Sequence, residues 1–201
     1  MGITSTQQGV ITEAEFAKVV ILTTAGALVP ARPVADDDRR DYEIHIRRHF
    51  LESLAMQLKT AKRLRLHGRS RMLQINFRVT APLVSDDRLW YFLAYFDVDE
   101  MRFIDPVFLV PSRFLHKHAL HGLGRGAIQL QFKANTEPSS HDMWSPFRLA
   151  QKELGPRILQ ILKQLERQSR GRRQPTDLLS LGGVLWLQSA AAKKRQRRRA
   201  A

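Results

Sequence analysis

Apolar and polar residues alternate in several stretches of this chain, and a period of two is satisfied only by extended backbone with one face on a core. Residues 41–47 put Tyr42, Ile44 and Ile46 on one side. Residues 53–60, SLAMQLKT, put Leu54, Met56 and Leu58 opposite Ala55, Gln57 and Lys59. The same residues could also join a helix over 50–64, so this stretch has two readings, of which the strand is preferred. Further strands are predicted at 72–79, 89–96, 107–110 and 127–132, punctuated by Pro82, the Asp86 and Asp87 pair, and Asp105-Pro106. The sheet is therefore expected to be large.

Helical signals fall around these strands. Thr12 with Glu15 reads as a capping box opening a helix over 12–25, with Phe16, Val19, Val20 and Thr23 on one face and Gly26 as its stop. Residues 112–119 suggest a short helix capped by Ser112, followed by a loop marked by Gly122, Gly124 and Gly126. Residues 144–147 introduce a last helix, interrupted near Gly155-Pro156 and resumed from Pro156 to about Gln168, with Ile158, Leu159, Ile161, Leu162 and Leu165 as its buried stripe. The expectation is one α/β domain over 1–168, a central mixed β-sheet flanked by helices. Residues 169–201 then hold a polar linker, an apolar segment at 178–187 around Gly182-Gly183, and a basic C-terminal tail.

Charge narrows the partners. The 201 residues carry 33 Lys and Arg against 19 Asp and Glu, a formal net charge of +14, which suits a polyanion. Lys59, Lys62, Arg63, Arg65, Arg69 and Arg71 cluster inside the folded region. Residues 193–199, KKRQRRR, serve either as a solubilising end or as a sequence-independent phosphate contact that makes binding salt-sensitive. With no cysteine there is no disulfide, thiolate zinc site or cysteine nucleophile, as fits a cytoplasmic chain. No apolar run is long enough to span a bilayer, and no signal peptide is expected.

Several chemistries are disfavoured. The glycines at 122, 124 and 126 lack the Lys-Ser/Thr of a phosphate-binding loop between strand and helix. Ser139, Ser140, His141 and Asp142 are adjacent, and a hydrolase triad needs groups from separate elements. His116, His118 and His121 read as surface or phosphate-contacting residues. The triplet Gln74-Ile75-Asn76 reads as an ordinary strand whose alternate residues face outward.

Hydrolysis of a phosphodiester with a divalent metal needs oxygen ligands for the ion and a positive group near the water or phosphate. Asp41 opens a strand, fifteen residues follow, and Gln57-Leu58-Lys59 then presents an amide and an ammonium on one strand face. A hairpin would bring all three together. A Glu-bearing helix, a Pro-rich approach, an Asp strand, a Q-x-K strand and a later strand closing on FLVPS at 108–112 together resemble the PD-(D/E)xK restriction-endonuclease-like superfamily. The nearest branch carries Q-x-K, as in Mrr-like enzymes and restriction-like domains of unknown function, and the likeness covers about residues 9–118. It implies a Mg²⁺- or Mn²⁺-dependent DNA endonuclease. Asp41 and Gln57 would ligate the metal, Lys59 would position water or offset phosphate charge, and Glu15, from the first helix, would stand near the site and add a second acid to the metal, directly or through a water.

Each assignment has a plainer rival. Glu15 could only complete the capping box, with Glu13 as an outside alternative for the family position. Asp41 could only end a turn, with Asp36, Asp37 or Asp38 as the acid instead, and Gln57 and Lys59 could be solvated strand residues. A neutral Gln in place of the usual second carboxylate weakens metal binding. The alternatives are therefore a catalytically silent nucleic-acid-binding or scaffolding module on the same fold, and a subunit joining a homodimer or larger complex through 178–187.

Overall fold

The computed structural model describes residues 3–33, 40–49, 52–68, 70–80, 82–124 and 127–170. The chain divides into two compact units, Met1–Glu166 and Arg167–Ala201. Within the second unit the described residues are the end of a helix that closes at Arg170. The apolar segment at 178–187, the basic tail and Arg69 lie outside the described residues, as do Asp36, Asp37 and Asp38.

The first unit is a central mixed sheet flanked by helices, with a second sheet laid over part of one face. Strands β1 (Leu28–Ala31), β2 (Tyr42–Ile46), β3 (Ser53–Ala61), β6 (Leu89–Asp97), β7 (Arg102–Pro111) and β10 (Arg148–Leu149) form the central sheet in the order β1-β2-β3-β6-β7-β10. β3 runs parallel to β6 and the other neighbours are antiparallel. Strands β4 (Arg65–His67), β5 (Ser70–Thr80), β8 (Leu120–Gly124) and β9 (Ala127–Asn135) form the second sheet, ordered β4-β5-β9-β8.

The alternation of β2 and β3 explains the layering. Tyr42, Ile44, Leu54, Met56 and Leu58 pack with Phe92 against helix α1 (Ser5–Thr23) and helix α3 (Gln151–Arg170), through Phe16, Val20, Leu154, Ile158 and Leu162. Phe16 anchors this core, its ring centroid 4.9 Å from Phe92 and 5.7 Å from Tyr42. Burying each such side chain contributes about 1.5–3 kcal/mol. On the other face Tyr91, Leu93, Phe108 and Val110 meet the inner residues of β5 and β9, and Leu115 of helix α2 (Ser112–His118) closes that cluster. Residues 53–60 are therefore strand, as their alternation predicts.

Several expectations are corrected. Helix α1 begins at Ser5, where Thr4 and Gln7 form the capping box, and Thr12 is a buried mid-helix residue whose hydroxyl donates to Gly9 O. It ends at Thr23, and Gly26, at φ +73°, donates its N–H back to Ile21 O. Ser112 does not cap α2; its hydroxyl instead donates to Asp86 O and accepts from Asp86 N–H. Gly122 and Gly124 belong to an edge strand rather than a loop. α3 runs unbroken through Gly155 and Pro156, so the expected interruption is absent. β7 also runs through Asp105-Pro106, because the ladder with β6 is irregular between Leu93 and Tyr95 and Pro106 falls in that irregularity.

Candidate active site

Asp41 precedes β2, which pairs with β3 in the register Tyr42 to Met56. Its backbone N–H donates to Met56 O at 3.0 Å. Its carboxylate Oδ2 accepts the N–H of Leu58 at 2.5 Å, standing in for the strand carbonyl that β2 is too short to provide. Leu58 is the middle residue of the Gln57-Leu58-Lys59 triplet, so the acid is tethered between the two polar positions. Because β3 alternates, Gln57 and Lys59 share the face away from α1. Gln57 is 5% exposed. Lys59 is half-buried, with Nζ 6.0 Å from the centre of the Phe77 ring on β5.

The Glu15 carboxylate, on α1, pairs with Lys18 one turn on. α1 packs on the opposite face of the sheet from Gln57 and Lys59, so Glu15 belongs to the other layer. Glu13 belongs to a different cluster: Arg32 Nη2 donates to Glu13 Oε2 at 2.6 Å, Arg32 Nε donates to the Tyr42 hydroxyl at 3.3 Å, and that hydroxyl donates to Glu13 O at 3.0 Å. The bond that Arg32 donates to Tyr42 raises the pKa of Arg32, and the negative charges of Glu13 and Asp41 add to it. Glu13, Arg32 and Asp41 therefore interact as one charged neighbourhood.

Gln57 also lines a cavity of about 530 Å³ with Arg40, Asp86, Arg88, Tyr91 and His116. His116 is buried at 6% exposure, which corrects the surface role expected of it. Its Nδ1 is 2.8 Å from Ser85 Oγ and its Nε2 is 2.9 Å from the Tyr91 hydroxyl. Burial, with a smaller effect from His121, lowers its pKa to about 4, so the ring is neutral at pH 7. Burial likewise raises the pKa of Tyr91, with the charge of Asp41 adding to it. This Ser85–His116–Tyr91 chain carries no local sequence signal, because its members come from three separate segments.

A hydrated divalent ion takes one or two carboxylates, neutral oxygens, water and substrate phosphate. Asp41, just before β2, and the Gln57 amide, on the neighbouring β3, supply one carboxylate and one neutral oxygen, and among the described residues there is no group of three His, Cys, Asp or Glu that could hold an ion. Lys62, Arg63, Arg65 and Arg71 lie on or beside the β4–β5 hairpin, and all four are exposed. The Lys62 ammonium also donates to Ile3 O at 2.6 Å. No helix among the described residues is long and apolar enough to cross a membrane.

No family model matches the chain, and neither does any curated protein. Among solved structures, a bacterial homing endonuclease is similar at a TM-score of 0.47 and 12% identity, covering 83% of this chain and 99% of that one.

Proposed function

We propose that this chain is a metal-dependent DNA endonuclease of the PD-(D/E)xK type, with its hydrolytic site at Asp41, Gln57 and Lys59. The observation that carries the reading is the 2.5 Å bond from Leu58 N–H to Asp41 Oδ2, which fixes an acid against the centre of a Gln-x-Lys strand. Asp41 and Gln57 would hold Mg²⁺ or Mn²⁺, and a bound ion of this kind polarises a phosphoryl oxygen and acidifies water. Lys59 orients the nucleophile or offsets charge gathering on the phosphate, and its ammonium stands 6.0 Å from the centre of the Phe77 ring. Lys62, Arg63, Arg65, Arg69 and Arg71 supply phosphate contacts that hold the duplex.

Plasmid incubated with the purified protein and Mg²⁺ or Mn²⁺ tests this reading. Nicking is expected from the natural sequence and from neither Asp41→Ala nor Lys59→Ala; cutting that survives either change would sink the assignment. One observation favours a second reading, a silent DNA-binding module on the same fold: the site holds a single carboxylate beside a neutral amide. Calorimetry with Mn²⁺ separates the two, since the silent module binds DNA and takes up no metal that Asp41→Asn abolishes.

A further inference from the structure

None of the four strands β4, β5, β8 and β9 contains an acidic residue, although together they carry Arg65, Arg71, Arg78 and Lys133. The acid-free run extends along the chain from Ser53 to Ser85, which includes seven Lys and Arg. A merely solvated face mixes both signs of charge. The inner side of this sheet is committed to the core through Leu73, Ile75, Phe77 and Val79 with Leu130, Phe132 and Ala134. By alternation its outer side presents Gln74, Asn76 and Arg78 on β5, in register with Lys133, Gln131 and Gln129 on β9.

We infer that this outer face reads base edges in the major groove of duplex DNA. The inference rests on DNA being the polyanion, and it assigns sequence recognition to residues outside the hydrolytic site. The major groove of B-form DNA admits a two-stranded ribbon, where Asn and Gln bond adenine edges bidentately and Arg and Lys bond guanine; β5 and β9 supply such a pair beyond Met72, where the pairing with β4 has ended, with the short edge strand β8 alongside β9. Alternate side chains on a strand stand about 6.8 Å apart, about twice the ~3.4 Å spacing of successive phosphates along one strand of the helix axis. Gln74, Asn76 and Arg78 can therefore address alternate base pairs along one groove. Gln131 Nε2 donates to Asn76 Oδ1 at 3.0 Å, which holds two amides in a fixed relative orientation before DNA arrives. On the neighbouring strand Gly122 faces Gln129, leaving the approach to that amide without a side chain. The hairpin arginines Arg65 and Arg71 lie at one end of the ladder, where phosphate contacts would set its register. Double-stranded RNA offers no equivalent surface, because its major groove is too deep and narrow for side chains to read.

Selection from a random duplex pool in EDTA, where no cutting occurs, gives the test, followed by anisotropy titrations on the enriched and a scrambled duplex. The natural sequence should prefer the enriched duplex by tenfold or more. Asn76→Ala with Gln131→Ala should erase about tenfold of that preference, while affinity for the scrambled duplex falls far less. Arg65→Ala with Arg71→Ala should weaken both duplexes alike and flatten the salt dependence. Melting curves check that each variant is folded. A preference that survives the amide changes overturns the inference, as does tight duplex binding without any preference, or stronger binding to a matched RNA. Failure to bind any duplex would instead bring down the DNA reading itself.

Discussion

Acidification should loosen this fold through one histidine well before its carboxylates matter. His116 is held neutral between Ser85 and Tyr91, with its pKa lowered to about 4 from the ordinary 6.5. Between those values the unfolded chain binds a proton that the folded chain excludes. The contribution of His116 is therefore complete above pH 6.5 and is lost progressively as pH falls towards 4. At about 1.36 kcal/mol per pH unit across that window, the loss approaches about 3 kcal/mol, a substantial share of the roughly 5–15 kcal/mol that holds a domain together. His116→Gln retains a donor and an acceptor for Ser85 and Tyr91 but cannot titrate. Urea unfolding of both proteins at half-unit steps from pH 7 to 4 isolates the effect, since the carboxylates titrate alike in each. The advantage of the natural sequence over the variant should shrink by about 2–3 kcal/mol on descending this range. Two parallel curves would show that the ring is either accessible or protonated when folded, and the reasoning would fail.

Other outcomes follow from packing and hydrogen bonding. Gly155→Ala gains about 1 kcal/mol of helix propensity, but its new methyl would lie 2.3 Å from Thr23 Oγ1, 2.6 Å from Thr24 Cγ2 and 3.1 Å from Val20 O. Both threonine hydroxyls are engaged with backbone carbonyls at 2.7 Å, so the clash should win by about 1–2 kcal/mol; a raised melting temperature would contradict this. Asp41→Asn keeps an acceptor for Leu58 N–H and should lower stability by less than about 1 kcal/mol, whereas Asp41→Ala orphans that amide at a cost of about 1–3 kcal/mol. Both changes should abolish nicking, and calorimetric melting beside the plasmid assay separates the structural part from the chemical one.

The parts of the fold that were legible are those where one side of an element touches a core and the other does not. Residues 41–47 and 53–60 announced β2 and β3 by alternation, and the parity that buries Leu54, Met56 and Leu58 also put Gln57 and Lys59 together on the other face. Gln74 and Asn76 face outward for the same reason. β1 was hidden by Pro30, tolerable only because β1 is an edge strand. β4 was hidden because all three of its residues are exposed, and β10 because it has only two. The start of α1 was misplaced since Thr12 and Glu15 mimic a capping box, while its true first turn is polar and uninformative about burial. The burial of His116 depends on partners 25 and 31 residues away, and no local pattern carries that kind of contact.

The pairing of β5 with β9 also has a cost during synthesis. Met72 must wait for Asn135, with β6, β7, α2 and β8 emerging from the ribosome between them. Throughout that interval Leu73, Ile75, Phe77 and Val79 form an apolar strand face with half its covering layer unmade, a risk for aggregation. Arg71 and Arg78 within that strand and Arg65 just before it place like charges where a second unpaired copy would have to dock, which opposes such association. Substituting these arginines should therefore lower the soluble yield of the protein, whatever it does to the proposed DNA contacts.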